Sequence, residues 1–480
     1  MEEFELVVGL EIHAQLSTKS KAYASDSAGF GDDPNTNISV ITLGHPGTLP
    51  KANAQVIDFA IKMGLATNCT IRLENQYARK NYFYADLPKG YQITQDTTPI
   101  CTNGFVDVKL KDGSVSRIGI TRIHMEEDAG KSIHDQDYRD TLIDLNRAGV
   151  PLIEIVSEPD IRSSEQAGAY LTELRKVLRY LEICDGNMEE GSMRCDANIS
   201  VRKKGASEFG NRCEVKNLNS IRNVQRAIEY EFQRQVELVK AGEHIDQNTL
   251  NFDAATGKTS VLRSKEMAND YRYFPEPDLP PVVLTNEYIQ AIERDMPALP
   301  EQLFKRFTSE YQLTAYDANV LLDQKELAQY FMELGTHCAN YKLAANWIMG
   351  AVKSYLNEQA IGITEFPIPP IQIAAIIQLI ESNKINNTSA TQILFPALIN
   401  NPSANVAELA QSLNIIINTS DEDMMAFVNE VLAKYPDKVA EYKSGKKGLL
   451  GLFMGEVMKL AKGKLDPKEA NKLVIAALEK

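Results

Sequence analysis

Cysteine is scarce in this 480-residue chain, and the six present (69, 101, 184, 195, 213 and 338) form no CxxC pair. That scatter excludes a zinc ribbon and a disulfide scaffold and suits a reducing compartment. Positive charge is in deficit: 51 Lys and Arg stand against 65 Asp and Glu, a net charge of −14. A generally basic surface is excluded, so any phosphate contact has to come from a local cluster. Long apolar runs are missing as well. The stretch 371–380 is interrupted by Gln372 and Gln378 and is too short to cross a bilayer. Residues 1–5 are acidic, unlike the basic start of a secretion signal, so a soluble cytoplasmic protein is expected. Familiar nucleotide and hydrolase signatures are also absent. Gly257-Lys258-Thr259 looks like the end of a P-loop, but Phe252 stands where its first glycine has to be, and no GxSxG or HExxH occurs.

What is present is a globular composition, 44% hydrophobic and 24% charged, in a length that allows about three domains. Residues 1–290 carry short strand-like runs at 4–12, 100–108, 115–124 and 197–201, helical patterns at 56–66 and 165–181, and a hairpin turn at Asp112-Gly113. This mixture predicts an α+β domain with an antiparallel sheet. Four prolines in 274–281 read as its exit. From 291 the pattern is helical, over 299–310, 315–322, 326–337, 342–359, 371–382 and 388–400. After Asn401-Pro402, a small third unit has helices near 421–434, 436–444 and 447–462. The expected divisions are 1–290, 291–405 and 406–480.

Four stretches of the first part carry chemistry. Glu11 and His13 lie two apart in a strand, so a carboxylate and an imidazole share a face. Glu126, Glu127 and Asp128 follow a strand, and such an acid run is either solvated or held by cations. Glu154 sits inside an apolar run, where it either faces solvent or is buried and paired. Asp196 begins a strand close to Arg194. Each alone has a bland reading as a surface group. Together, Glu11, His13, Glu126, Glu127, Glu154 and Asp196 suit a hard divalent cation and phosphoryl transfer, since Mg²⁺ prefers oxygen ligands and bridges nucleotide phosphates. The third unit holds the local basic cluster. In 440–480, nine lysines face five acids, with glycines at 448, 451, 455 and 463. They can meet phosphates, or they are a solvated helix face.

The stretches 8–16, 79–92 (RKNYFYADLPKGYQ), 124–131, 144–160, 191–198 and 270–278 occur in the order found in a known family. With the glycine pattern of 446–463, they make the whole chain resemble the B subunit of the aspartyl/glutamyl-tRNA amidotransferases (GatB). The resemblance implies a cradle domain of the glutamine synthetase and guanido kinase class, then an all-α helical domain and a small all-α tail of the YqeY type. It implies ATP- and Mg²⁺-dependent phosphorylation of the side-chain carboxylate of Glu or Asp mischarged on tRNA(Gln) or tRNA(Asn). Ammonia from the amidase-type A subunit (GatA) then displaces the phosphate, and the C subunit (GatC) joins the other two. Carried over, Glu11, His13, Glu127, Glu154 and Asp196 are metal positions, and Glu126 is catalytic with them. Lys80 and Lys89 lie near the ammonia path, with Tyr82 and Tyr84 along it. Arg194 and Lys216 meet nucleotide phosphates, and Lys446, Lys447, Lys459 and Lys462 meet tRNA. Many members of the family have four cysteines read as a zinc site. Here Ala24, Asp26, Ser39 and Thr42 stand in those positions, so no zinc is expected and the loop has to be held by packing. The runner-up functions are a carboxylate–amine ligase on a free small molecule, which has no need of the basic tail, and a non-catalytic tRNA scaffold, which has no need of six acids.

Overall fold

The computed structural model describes residues 3–264, 270–417, 421–460 and 467–479. Contacts divide the chain into two compact bodies, Met1–Pro300 and Glu301–Lys480. The strands of the first body are β1 (Phe4–Gln15), β2 (Thr70–Ile71), β3 (Glu74–Asn75), β4 (Ala78–Asn81), β5 (Tyr91–Thr94), β6 (Cys101–Lys109), β7 (Val115–Glu127) and β8 (Lys131–Ile133). They continue with β9 (Leu142–Asp144), β10 (Pro151–Ser157), β11 (Met193–Lys203), β12 (Cys213–Lys216), β13 (Asn248–Asp253), β14 (Lys258–Ser264), β15 (Phe274–Pro275) and β16 (Val282–Val283). The helices are α1 (Ala54–Ala66), α2 (Ser164–Tyr180), α3 (Ile221–Ala241) and α4 (Asn286–Arg294).

Nine strands form one sheet in the order β14-β13-β12-β11-β1-β10-β7-β6-β2. Alternation decides its two faces. Along β1, residues 10, 12 and 14 are buried while 9, 11, 13 and 15 are half-buried. Ile12, Met125, Ile153, Ile155 and Cys195 join the apolar sides of α1, α2 and α3 in one core. Burying those side chains, at about 1.5–3 kcal/mol each, fixes the register, because a one-residue slip exchanges the faces. The sheet is mixed rather than wholly antiparallel: β12 and β13 run parallel. The 21-residue helix α3 lies between them and returns the chain to the same end, a crossover that the expected hairpin topology lacked. The Asp112-Gly113 turn joins β6 and β7, with Gly113 at φ +86°.

The proline-rich stretch does not leave the first body. Phe274–Pro275 pairs with β4 and Val282–Val283 with β3, two-residue ladders of the kind that tolerate proline. Ile289, Ile292, Met296 and Leu299 then pack on the first core, carrying that body past residue 290. The second body is helical throughout its described residues. Two of its long helical patterns contain a π-helical turn, Ile348–Val352 and Ala390–Leu394. Pro396, which lacks an N–H to donate, follows close behind the second. Near the C-terminus, Val428, Val431, Phe453, Val457, Val474 and Leu478 share a small core.

Candidate functional site

The ladder register writes the site as rows across the sheet. His124 of β7 lies opposite Glu154 of β10, Glu154 opposite His13 of β1, and His13 opposite Arg194 of β11. In the next row Glu11 faces Asp196. These side chains occupy the face opposite the core, so the strands that bury Ile12, Ile153 and Cys195 behind present imidazoles and carboxylates in front.

The row closes into a cluster. His13 Nε2 is 3.4 Å from Glu126 Oε1 and 3.4 Å from Glu154 Oε2. His124 Nε2 is 3.3 Å from Glu154 and 3.8 Å from Glu126. One ligand atom each from His13, Glu126 and Glu154 lies within 4.8 Å of the others, the one such group among the described residues. Burial works against a proton on His13, but the Glu154 hydrogen bond and the charges of Glu154 and Glu126 outweigh it and raise its pKa to about 9. His124 is raised for the same reasons, with burial again opposing and Glu154 foremost among the partners. Burial pushes Glu154 up, yet the two imidazoles, His124 first, hold it well below the usual carboxylate range. Two imidazoles and two carboxylates thus face one another at 3.3–3.8 Å. His124 Nδ1 is buried without a hydrogen-bond partner. The donor set fits a hard metal ion. Glu11, beside it, is short of positive charge. Burial and then the charges of Glu154, Glu214 and Asp196 raise its pKa against the 2.9 Å hydrogen bond from Asn198.

The acid run is buried and held by cations, each member by a different set. Glu126 meets the imidazoles. Glu127, one residue on and turned to the other face, accepts from the Lys89 ammonium and, at 2.9 Å, from the Ile93 N–H. Asp128 is 2.9 Å from Arg194 and 3.6 Å from Arg147, and accepts from Gln15 at 2.8 Å. Glu127 is therefore not brought into the His13 cluster with which it was grouped, because consecutive strand residues alternate. Asp196 is 2.5 Å from Lys216, which also reaches Glu214 at 3.0 Å. Both expected phosphate partners, Arg194 and Lys216, thus already have carboxylates. Lys80 and Lys89 stand in different surroundings. Lys89 is in the Glu127 ion pair, while Lys80 lies 4.8 Å from the Tyr271 ring centre and 5.8 Å from that of Tyr82.

With this geometry in place, comparison with known proteins is specific. Residues 6–290 match the family described as GatB/GatE catalytic domain, and residues 329–478 match the GatB domain. The chain belongs to the GatB family. A protein of Thermodesulfovibrio yellowstonii, named as the B subunit of aspartyl/glutamyl-tRNA(Asn/Gln) amidotransferase, is 46% identical over 477 residues, covering 99% of this chain and 100% of that protein. Proteins of the same name from Syntrophotalea carbinolica and Thermosynechococcus vestitus are 47% identical (98% of each chain) and 48% identical (99% of this chain, 96% of that one).

Sequence reasoning about this family member missed two residues of the first body. His124 was legible by the rule that paired Glu11 with His13, since it stands two residues before Glu126. Lys21 had no signal. Its side chain is fully buried, donates to the Asn37 carbonyl at 2.6 Å and lies 4.0 Å from Asp26, and burial lowers its pKa to about 8. It helps explain the loop with the four replaced cysteines. Asp26 accepts from the Thr42 hydroxyl, and Ser39 Oγ accepts the Thr42 N–H at 3.4 Å. Polar contacts around a buried ammonium, rather than packing alone, hold that loop. In the tail, Lys446, Lys447 and Lys459 are exposed. Lys446 is 3.1 Å from Glu441, and Lys447 stacks 4.2 Å over Tyr442. Lys462 lies outside the described residues.

Proposed function

We propose that the His13–Glu126–Glu154 cluster is where this protein phosphorylates the side-chain carboxylate of Glu or Asp on tRNA(Gln) or tRNA(Asn), at the expense of ATP. The reading rests above all on the sheet row that brings two carboxylates and an imidazole within 4.8 Å on the open face. Membership of the family makes the chain one component of a glutamine-dependent carbon–nitrogen ligase that acts on aminoacyl-tRNA, and the small-molecule and scaffold readings are not favoured. The nine-stranded sheet with its polar front is the cradle domain of the glutamine synthetase and guanido kinase class. The helical part, beginning at 301 rather than 291 and running to 405, and the tail 406–480 are its successors, acting in the cytoplasm with the A and C subunits of a heterotrimer.

A carboxylate is a poor electrophile because its charge repels a nucleophile. Attack of its oxygen on the γ-phosphorus of ATP releases ADP and gives an acyl phosphate. Ammonia then adds to the acyl carbon, phosphate leaves with the C–O electron pair, and the amide remains. Mg²⁺ held by His13, Glu126 and Glu154 would screen the transferring phosphoryl group. Glu11 and Asp196 extend the acidic front; Lys216 and Arg194 would meet phosphate oxygens only by leaving Asp196 and Glu214, and Asp128, with which they pair. Lys89, locked to Glu127, positions the strand end that carries Glu126. The lysines of the tail, with Lys462 among them, contact the tRNA backbone.

The test is Glu126→Gln in the assembled enzyme. It keeps the shape and removes one ligand charge. ATP-dependent amidation should fall at least a hundredfold, while tRNA affinity stays within twofold. Normal turnover would refute the assignment.

A further inference from the structure

A row of aromatic rings stands beside the acid cluster; the family resemblance sets Tyr82 and Tyr84 along the ammonia path, but neither that path nor the phosphorylation chemistry gives a role to Phe83, Tyr271, Tyr273 or Phe274. Tyr84, Tyr82, Tyr271 and Tyr273 meet edge to face in sequence, with centroids 5.8, 6.1 and 6.0 Å apart. Phe83 is 87% exposed and Tyr84 60%, and Tyr273 and Phe274 are exposed as well. Four large rings at the surface of one motif pair are unusual, because isolated apolar side chains, not contiguous patches, are the norm there. Three of them, Phe83, Tyr84 and Phe274, line a cleft of about 1040 Å³ together with Lys80, Tyr82, Tyr271 and Arg272. That is at the top of the range of about 300–1,000 Å³ for small-molecule pockets.

Cations are interleaved with the rings. Among the described residues, the Lys80 ammonium has ring contacts and no carboxylate within 4.0 Å. Arg272 is exposed, 3.7 Å from an equally exposed Asp270, whereas Arg79, 4.1 Å over Tyr91, is already held by Glu276 at 2.7 Å and Asp278 at 3.1 Å and serves to fix the rings rather than to meet phosphates. Aromatic faces interleaved with cations are what unpaired nucleic acid requires: rings stack on bases regardless of sequence, and the cations follow the backbone. An apolar peptide would leave Lys80 and Arg272 facing hydrocarbon.

Position decides which nucleic acid. The Tyr82 hydroxyl donates to Gln92 Oε1 at 3.3 Å, and Gln92 Nε2 donates to the Glu127 carbonyl at 2.7 Å, one residue from Glu126. A substrate esterified through its terminal ribose has to bring its last bases to this margin.

We propose that the Tyr82–Phe83–Tyr84 and Tyr271–Phe274 rings form a stacking platform for the unpaired 3′-terminal nucleotides of the aminoacyl-tRNA substrate. This rests on the function proposed above and adds the place where the substrate's end is held. The platform positions the ester; it takes no part in bond making. The probe is uncharged tRNA(Gln) whose 3′-terminal adenosine is replaced by 2-aminopurine ribonucleotide, added to the assembled enzyme without ATP. Stacking on a ring quenches this base. Binding to the wild-type enzyme should quench it, and Phe83→Ala/Tyr84→Ala should abolish the quench and weaken binding roughly fivefold to a hundredfold per lost stack. Phe83→Tyr/Tyr84→Phe should restore both. With aminoacyl-tRNA, the alanine variant should raise KM and leave the KM for ATP unchanged. An unchanged fluorescence on binding, or a quench retained in the alanine variant, overturns the proposal. So does dissociation of the assembly by that variant with the quench kept, which would assign the rings to a protein interface. Glu126→Gln should quench like the wild type, so failure of the phosphorylation reading and failure of the platform are read separately.

Discussion

Competition between a proton and a metal ion at His13 is open to a quantitative test. In the metal-free protein, Glu154 and Glu126 hold the imidazole protonated up to about pH 9. A metal ligand has to be neutral, so binding must expel that proton. At pH 7, two units below 9, the competition should weaken the apparent affinity about a hundredfold, or about 2.7 kcal/mol. Affinity should therefore rise about tenfold per pH unit from 7 to 9 and flatten above. His124, also raised, and Glu154 titrate in the same cluster, with the charges of Glu126 and Arg194 beside them, so the diagnostic is the difference made by one residue. Folding carries the opposite sign. A pKa raised from 6.5 to about 9 stabilises the metal-free protein below pH 6.5, by an order-of-magnitude 3 kcal/mol, and that contribution is lost as pH rises toward 9. Mn²⁺ titrations of the wild type and His13→Asn by calorimetry, in buffers of different ionisation enthalpy, read both affinity and protons released. The variant should bind more weakly at pH 9, with a slope about one unit lower and about one proton fewer. A wild-type affinity that is flat between pH 7 and 9, or a slope unchanged by His13→Asn, would refute the reasoning.

Three further outcomes are expected. Glu127→Gln leaves the nearly buried Lys89 ammonium without its counter-charge and should lower stability in urea unfolding by about 3–5 kcal/mol; an unperturbed midpoint would show that the ion pair is not structural. Lys446→Ala/Lys447→Ala/Lys459→Ala should weaken tRNA binding and reduce the salt slope by roughly one per lost phosphate contact, and an unchanged slope would make these lysines a solvated face. Elemental analysis of the purified protein should find no zinc, since Ala24, Asp26, Ser39 and Thr42 supply no thiolate or imidazole; stoichiometric zinc would contradict this.

Local pattern was enough for much of this protein. The strand Phe4–Gln15, the helices at 54–66 and 164–180, the Asp112-Gly113 hairpin and the helical second body follow from periods of 2 and 3.6 and from turn chemistry, which neighbouring residues set among themselves. The sharing of one face by Glu11 and His13 was legible for the same reason. The parallel β12–β13 pair was not, because a crossover is a relation between segments more than thirty residues apart; helix α3, with its Ser220 cap and Gly242 stop, is a local pattern that was passed over. The site divides along the same line. That Glu126, Glu127 and Asp128 are acids close to a strand end is written in the sequence. That they part company is a tertiary fact: alternation turns Glu127 toward Lys89, and Arg194, brought in by a strand sixty-six residues later, takes Asp128. Only the register of four strands sets His124, Glu154, His13 and Arg194 in one row, and that register is fixed from behind, by the isoleucines that have to be buried together.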